Sequence, residues 1–129
     1  MREATVTEAV TLRVHRFHRW MPQLVAAAAE IGGTDPAILV GPGRAPWAVT
    51  LRDAIVVAAV DVFEKNWSAI ARDLGGRNHA AIICSYNRGK LRLGTDGEFR
   101  QLLPLILAIA RAIKGAEPAV VDVEPQFAL

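Results

Sequence analysis

The glycine pair Gly75-Gly76 interrupts a stretch with helical periodicity and divides it into two segments. Adjacent glycines end a helix, and Asn78, which can cap a new helix, follows directly. The sequence therefore predicts a short helix over 67–74, a tight turn, and a second helix over about 79–92. The apolar seam expected to join the two helices consists of Ile70, Leu74, Ile82 and Ile83.

Helical signals dominate the rest of the chain as well. Further helices are predicted over about 4–20, 22–31, 36–40, 51–64 and 96–114. Asp35, Thr50 and Asn66 are expected to cap three of the helices, and Thr95 with Glu98 forms a capping box for the last one. No strand pattern extends beyond a few residues. We therefore expect an all-α protein, a compact bundle of about six helices that contains a helix-turn-helix.

The length of 129 residues corresponds to one domain. An amphipathic helix is expected at the N-terminus, over residues 1–21, because valines recur there at helical spacing with arginines off that line. Residues 22–114 form the expected domain. The tail, 115–129, holds two prolines and no clear period, so we expect it to be disordered.

Several classes of function are disfavoured by the composition. No apolar stretch reaches the ~18 residues that cross a bilayer, and the first residues lack the apolar core of a secretory signal, so we expect a cytoplasmic protein. Cys84 is the only cysteine, and His15 and His18 have no acidic or thiol partner at ligand spacing. We therefore expect no metal site and no cofactor. No nucleophile has a recognisable base, so an enzyme is not expected.

Positive charge is concentrated in one segment, although the whole chain has a net charge of only +2. Residues 66–93 contain five basic residues and one acidic residue. Such a cluster is typical of a surface that binds a polyanion, and a solvated basic face is the alternative.

The segment IARDLGGRNHAAI, within residues 70–82, resembles the signature of the C-terminal DNA-binding domain of DnaA, the bacterial replication initiator. Members of that family typically read I-G-x-x-F-G-G-R-D-H-T-T-V. The matching positions are Ile70, Leu74, Gly75, Gly76, Arg77, Asn78, His79 and Ile82. Upstream, DPAILVGPGR is similar to the short helix and basic loop of the family. The resemblance covers residues 22–114 and implies a Trp-repressor-like helix-turn-helix fold.

The resemblance also implies roles for individual residues. Positions that read bases in the major groove are occupied by Asn78, His79, Ala80 and Ala81. Arg44 lies where the family inserts a basic side chain into the minor groove, and Arg52 and Arg77 match arginines near the phosphate backbone. Arg88 matches a basic position further along the recognition helix, and Lys90 keeps the same region basic. The implied function is sequence-specific binding of double-stranded DNA at DnaA-box-like sites, in regulation of replication initiation or transcription at the nucleoid.

This chain also departs from the family pattern. Asn78 replaces an aspartate, and Ala80 and Ala81 replace two threonines, so we expect an altered or relaxed base preference. No G-x-x-x-x-G-K-[ST] motif is present, and the loop GPGRAP lacks its lysine. We therefore expect a stand-alone box-binding domain that does not bind a nucleotide.

A second hypothesis is a protein-interaction module that keeps the fold but has weakened base reading. Residues 102–113, LLPLILAIARAI, are apolar almost all round and could pack inside the core or bind a second copy or a partner. Retention of Arg44, Arg77 and Lys90 favours DNA, because a face that no longer binds DNA need not stay basic.

Overall fold

Capping side chains and prolines at the first position of a helix divide this chain into successive helices. The computed structural model describes the backbone of residues 20–127 and the side chains of residues 20–116. Within that range the chain forms six helices and no strand, which confirms the all-α prediction. They are α1 (Trp20–Gly32), α2 (Pro36–Val40), α3 (Pro46–Asp61), α4 (Trp67–Asp73), α5 (His79–Thr95) and α6 (Gly97–Phe127). The amphipathic helix expected over 1–21 lies outside the described residues, apart from the last two.

Helix α3 is the central element of the fold. It contacts each of the other five described helices, and every residue from Leu51 to Ala59 is buried. The run from Ala54 to Val60 contains no polar residue, which allows burial on all sides. Every polar group that α3 does carry into this core therefore needs a partner inside the protein.

Helices α4 and α5 form a pair connected by a tight turn. Ile70, Leu74 and Ile82 are buried in the predicted seam, and Ile83 is half-buried. Both predicted asparagine caps are confirmed: Asn66 Oδ1 accepts a hydrogen bond from the N–H of Ala69 at 2.8 Å, and Asn78 Oδ1 accepts one from Ala80 at 2.7 Å. The same holds for Asp35, which caps α2.

The two predicted threonine caps are wrong. Helix α3 begins at Pro46, one turn earlier than predicted, so the Thr50 hydroxyl lies inside the helix and donates to the carbonyl of Pro46. Proline favours the first helical position because it has no N–H that would remain unpaired. At the start of α6, the Asp96 carboxylate accepts from the N–H groups of Glu98 and Phe99, while Thr95 belongs to α5.

Helix α6 is longer than the sequence predicts, and part of it is buried on one side only. Its backbone is helical as far as Phe127, whereas a tail without regular structure is predicted from residue 115. Gly115 is not among the glycines with positive φ and so does not end the helix. Leu103 and Ile106 are buried, but Leu105 is 53% exposed, so the segment 102–113 packs on one side only. None of the helices over residues 20–127 is long and apolar enough to cross a membrane.

Candidate nucleic-acid interface

A groove of about 880 Å³ lies between the loop after α2 and the first half of α5. Its floor is apolar and includes Val56, Leu74 and Ile82. Six of the nine residues predicted to bind DNA line it, namely Arg44, Arg52, Arg77, Asn78, Ala81 and Arg88. No aspartate or glutamate is among its lining residues. The groove therefore favours an anionic ligand.

Residues 78–81, which the resemblance assigns to base reading, are exposed at the N-terminus of α5. The first N–H groups of a helix and its dipole favour negative charge at that end. The amide oxygen of Asn78 is engaged in the cap, so two-point recognition of adenine would compete with capping. The Asn78 amide NH₂ group, the His79 imidazole and the methyl groups of Ala80 and Ala81 are accessible to a ligand from solvent.

Arg44 is exposed on the loop that forms the opposite wall of the groove. It takes part in none of the salt bridges found among residues 20–116. The loop is anchored at its first residue, because Arg52 from α3 and Arg77 from the turn before α5 both donate to the carbonyl oxygen of Gly41. Arg44 is therefore an exposed cationic side chain close to an anchored point of the loop.

Arg52 does not fit its predicted role beside the phosphate backbone. Its side chain is buried, with the residue only 7% exposed, and it donates to the carbonyl oxygens of Leu39 at 2.7 Å, Ile38 at 3.0 Å and Gly41 at 3.3 Å. Burial lowers the pKa of Arg52, and the nearby charge of Arg77 lowers it further. Arg52 binds the carbonyls that end α2, where a cation is stabilised by the helix dipole. These bonds and the burial of the side chain leave Arg52 little access to a phosphate.

Arg77 has a similar structural role. It donates to the carbonyl oxygens of Gly41 at 2.6 Å, Leu74 at 3.0 Å and Val40 at 3.3 Å. Burial lowers its pKa. These bonds join the loop wall of the groove to the turn that leads into α5. Arg77 therefore fixes the distance between the two walls, and most of its donors are already used.

Arg88 is paired with a carboxylate but keeps part of its guanidinium exposed to a ligand. Its side chain is 46% exposed and forms a two-point ion pair with Asp53, from Nε at 2.8 Å and from Nη2 at 2.9 Å. The hydrogen bond to Asp53 raises the pKa of Arg88, so the guanidinium stays charged. The predicted basic position on α5 is thus present in the groove, with a partner that the sequence-based prediction lacked.

Lys90 is not part of the groove. Side chains two positions apart on a helix point about 200° away from each other around its axis. Lys90 therefore lies nearly opposite Arg88 on α5. Its ammonium group pairs with Asp61 at 2.7 Å and lies 5.2 Å from the centre of the Tyr86 ring. The hydrogen bond to Asp61 raises the pKa of Lys90. The structure therefore does not bring Lys90 together with the other predicted DNA contacts.

The sequence-based prediction missed the polar cluster beneath Arg88. The carboxylate of Asp53 is fully buried and contacts Ser85, Arg88 and Arg92 on α5. The apolar run 54–60 of α3 is flanked by Asp53 and Asp61, and an acidic residue at the edge of such a run is a signal that could have revealed the cluster, since a buried charge requires partners. Cys84 is exposed on the groove side of α5.

Comparison with known proteins adds no assignment. The chain matches no protein-family model, no curated protein and no solved structure.

Proposed function

We propose that this protein binds double-stranded DNA in a sequence-specific manner at DnaA-box-like sites. The observation that supports this most is the exposed N-terminal end of α5, residues 78–81, beside a groove with arginines and no carboxylate among its lining residues. An α-helix fits the major groove and contacts base edges through its N-terminal residues. Arg44, on the opposite wall, would enter the adjacent minor groove.

The proposed DNA-binding role is regulatory, in replication initiation or transcription at the nucleoid. Within this role, His79 donates to a purine N7 or to a phosphate, and Ala80 and Ala81 offer methyl groups to thymine. Arg88 contacts phosphate, and Arg52 and Arg77 act by fixing the loop that carries Arg44. The two hydroxyls that the DnaA family uses are missing, so the preferred site differs from the standard DnaA box or is less strictly defined.

A gel shift on duplex DNA across a series of salt concentrations tests this proposal. We expect affinity to fall steeply as salt rises, with a slope of about −0.9 for each phosphate contact. Arg44→Ala should weaken binding and reduce that slope by about one contact. Arg111→Ala is the matched control, because it removes the same charge from an exposed position on α6 outside the groove.

His79→Ala tests base reading separately from charge. It should reduce discrimination between preferred and random duplexes by about 1–3 kcal/mol. Absence of duplex binding by the wild-type chain at low salt would contradict the proposal. An equal effect of Arg44→Ala and Arg111→Ala would contradict the assignment of the groove.

A second candidate function is self-association or partner binding through residues 102–113. Leu105, 53% exposed on α6, favours it. Sedimentation of the wild-type chain and of Leu105→Glu separates the two candidates. A dimer that Leu105→Glu dissociates supports the interaction role, and a monomer in both samples argues against a homodimer.

A further inference from the structure

A buried carboxylate connects the central helix to the helix proposed to contact DNA. Asp53, on α3, has no exposed side-chain surface, and its side-chain partners among residues 20–116 lie on α5. Ser85 donates its hydroxyl hydrogen to Oδ1, Arg88 donates to both oxygens, and Arg92 donates to Oδ2 at 3.1 Å. The carboxylate is therefore fully hydrogen-bonded, as a buried charge must be.

The two arginines of this cluster have different surroundings. Arg92 binds Asp53 through Nε and Asp96 through Nη1, and its side chain is largely buried. Arg88 binds only Asp53 among the described residues, lines the groove and is about half exposed. A guanidinium has five N–H donors, and the two-point pair uses two of them. Three donors of Arg88 are left for a ligand.

The other partners of Asp53 allow Arg88 to bind an anion as well. The network contains the two guanidinium groups of Arg88 and Arg92 and the two carboxylates of Asp53 and Asp96, so it carries no net charge. Because Arg92 and Ser85 also bind Asp53, the carboxylate stays partnered when Arg88 shares its charge with a second anion. The two-point pair also fixes a side chain that would otherwise lose much rotamer freedom on binding.

We propose that Asp53 is a positioning residue for DNA binding, which holds the guanidinium of Arg88 so that its free N–H groups bind one phosphate of the duplex. This inference rests on the proposed DNA-binding function. Arg88 is the residue that contacts the phosphate, and Asp53 acts through it.

Arg88→Lys tests the proposal, because lysine keeps the charge but cannot form the two-point pair. Affinity for a duplex at fixed salt should fall about tenfold, close to the loss caused by Arg88→Gln. Arg92→Lys is the matched control: it changes the same residue type on the same carboxylate but lies outside the groove, and it should change affinity less than about twofold. Circular dichroism and thermal melting establish that each variant is folded.

A double-mutant cycle that combines Asp53→Asn with Arg88→Lys measures how far the contribution of Arg88 to duplex affinity depends on Asp53. In the Asp53→Asn background Arg88→Lys should cost less than about twofold in affinity. If Asp53→Asn does not fold, the duplex affinities of Arg88→Lys and Arg88→Gln test the proposal by themselves, and similar losses support it. Wild-type affinity for Arg88→Lys, with a lowered melting temperature only, would show a purely structural pair and overturn the inference. Failure of the wild-type chain to bind any duplex would instead overturn the proposed function, and the inference with it.

Discussion

The four arginines that line the groove differ in what their guanidinium groups bind. Arg52 and Arg77 donate to backbone carbonyls and hold the loop after α2 in place. Arg88 is oriented by a buried carboxylate, and Arg44 extends into solvent. Two of the four thus build the groove, and two are available to an anionic ligand. The partners of each arginine as well as its charge therefore decide whether an anionic ligand can bind it.

Asn78 combines a structural and a proposed binding role, and substitutions can separate them. Asn78→Asp keeps a side-chain oxygen for the N-cap of α5, so the free energy of unfolding should change by less than about 0.5 kcal/mol. The new charge should nevertheless weaken binding to duplex DNA through repulsion of phosphate. Asn78→Ala removes the cap and should cost about 1 kcal/mol of stability.

Urea unfolding of the Asn78 variants, together with gel shifts, provides the measurement. Equal stability of Asn78→Ala and the wild-type chain would show that the cap contributes nothing. Unchanged duplex binding by Asn78→Asp would remove this position from the interface.

Residue roles could be predicted from the sequence only where the partner is local. The caps by Asn66 and Asn78 depend on neighbouring N–H groups and were predicted correctly. Two of the three partners of Arg77, Gly41 and Val40, lie 36 and 37 residues away, so the local pattern does not distinguish this arginine from a phosphate ligand. The same limit applies to Asp53, whose partners lie on another helix.

At the scale of elements, the turn between α4 and α5 determines where the end of α5 is presented. The N–H groups of Gly76 and Arg77 donate to carbonyls of Arg72 and Ala71, which ends α4. Gly75 and Gly76 both have positive φ, at 83° and 70°. Gly75 also lies against the loop after α2, where a side chain would overlap the carbonyl oxygen of Val40. The turn and the loop wall are therefore packed together.

Alanine substitutions in the turn should differ in their cost. Gly75→Ala combines the left-handed backbone with the overlap at Val40, so we expect a loss of more than about 3 kcal/mol in unfolding free energy. Gly76→Ala is the matched control, because an added Cβ there meets no atom within 4 Å. It should cost about 1–2 kcal/mol. Denaturant unfolding measures both, and equal losses would contradict the close contact between turn and loop.

Helix types were easier to predict than helix ends and burial. The helices after Asp35, Asn66 and Asn78 begin where a capping side chain precedes them. The predicted cap by Thr50 is wrong because α3 begins one turn earlier, at Pro46. The run over 102–113 is rich in apolar residues, yet it packs on one side only, because α3 already occupies the centre of the bundle.

For the whole molecule, the central position of α3 explains how the groove is held open. Arg52 of α3 binds the loop wall, and Asp53 of the same helix binds α5. One buried helix thus fixes both sides of the groove and the exposed end of α5 beside it. The fold class could be predicted from the sequence, but this connection could not, since it depends on which helix becomes the central one.

The proposed function requires that the end of α5, with Asn78 and His79 foremost, reads the edges of base pairs. Selection of bound fragments from a pool of random duplexes, with the wild-type chain and with His79→Ala, measures this reading. We predict that the wild-type chain enriches one sequence motif and that His79→Ala weakens this enrichment while retaining salt-dependent binding. A wild-type pool indistinguishable from the input, or an identical motif recovered equally by both chains, would contradict it.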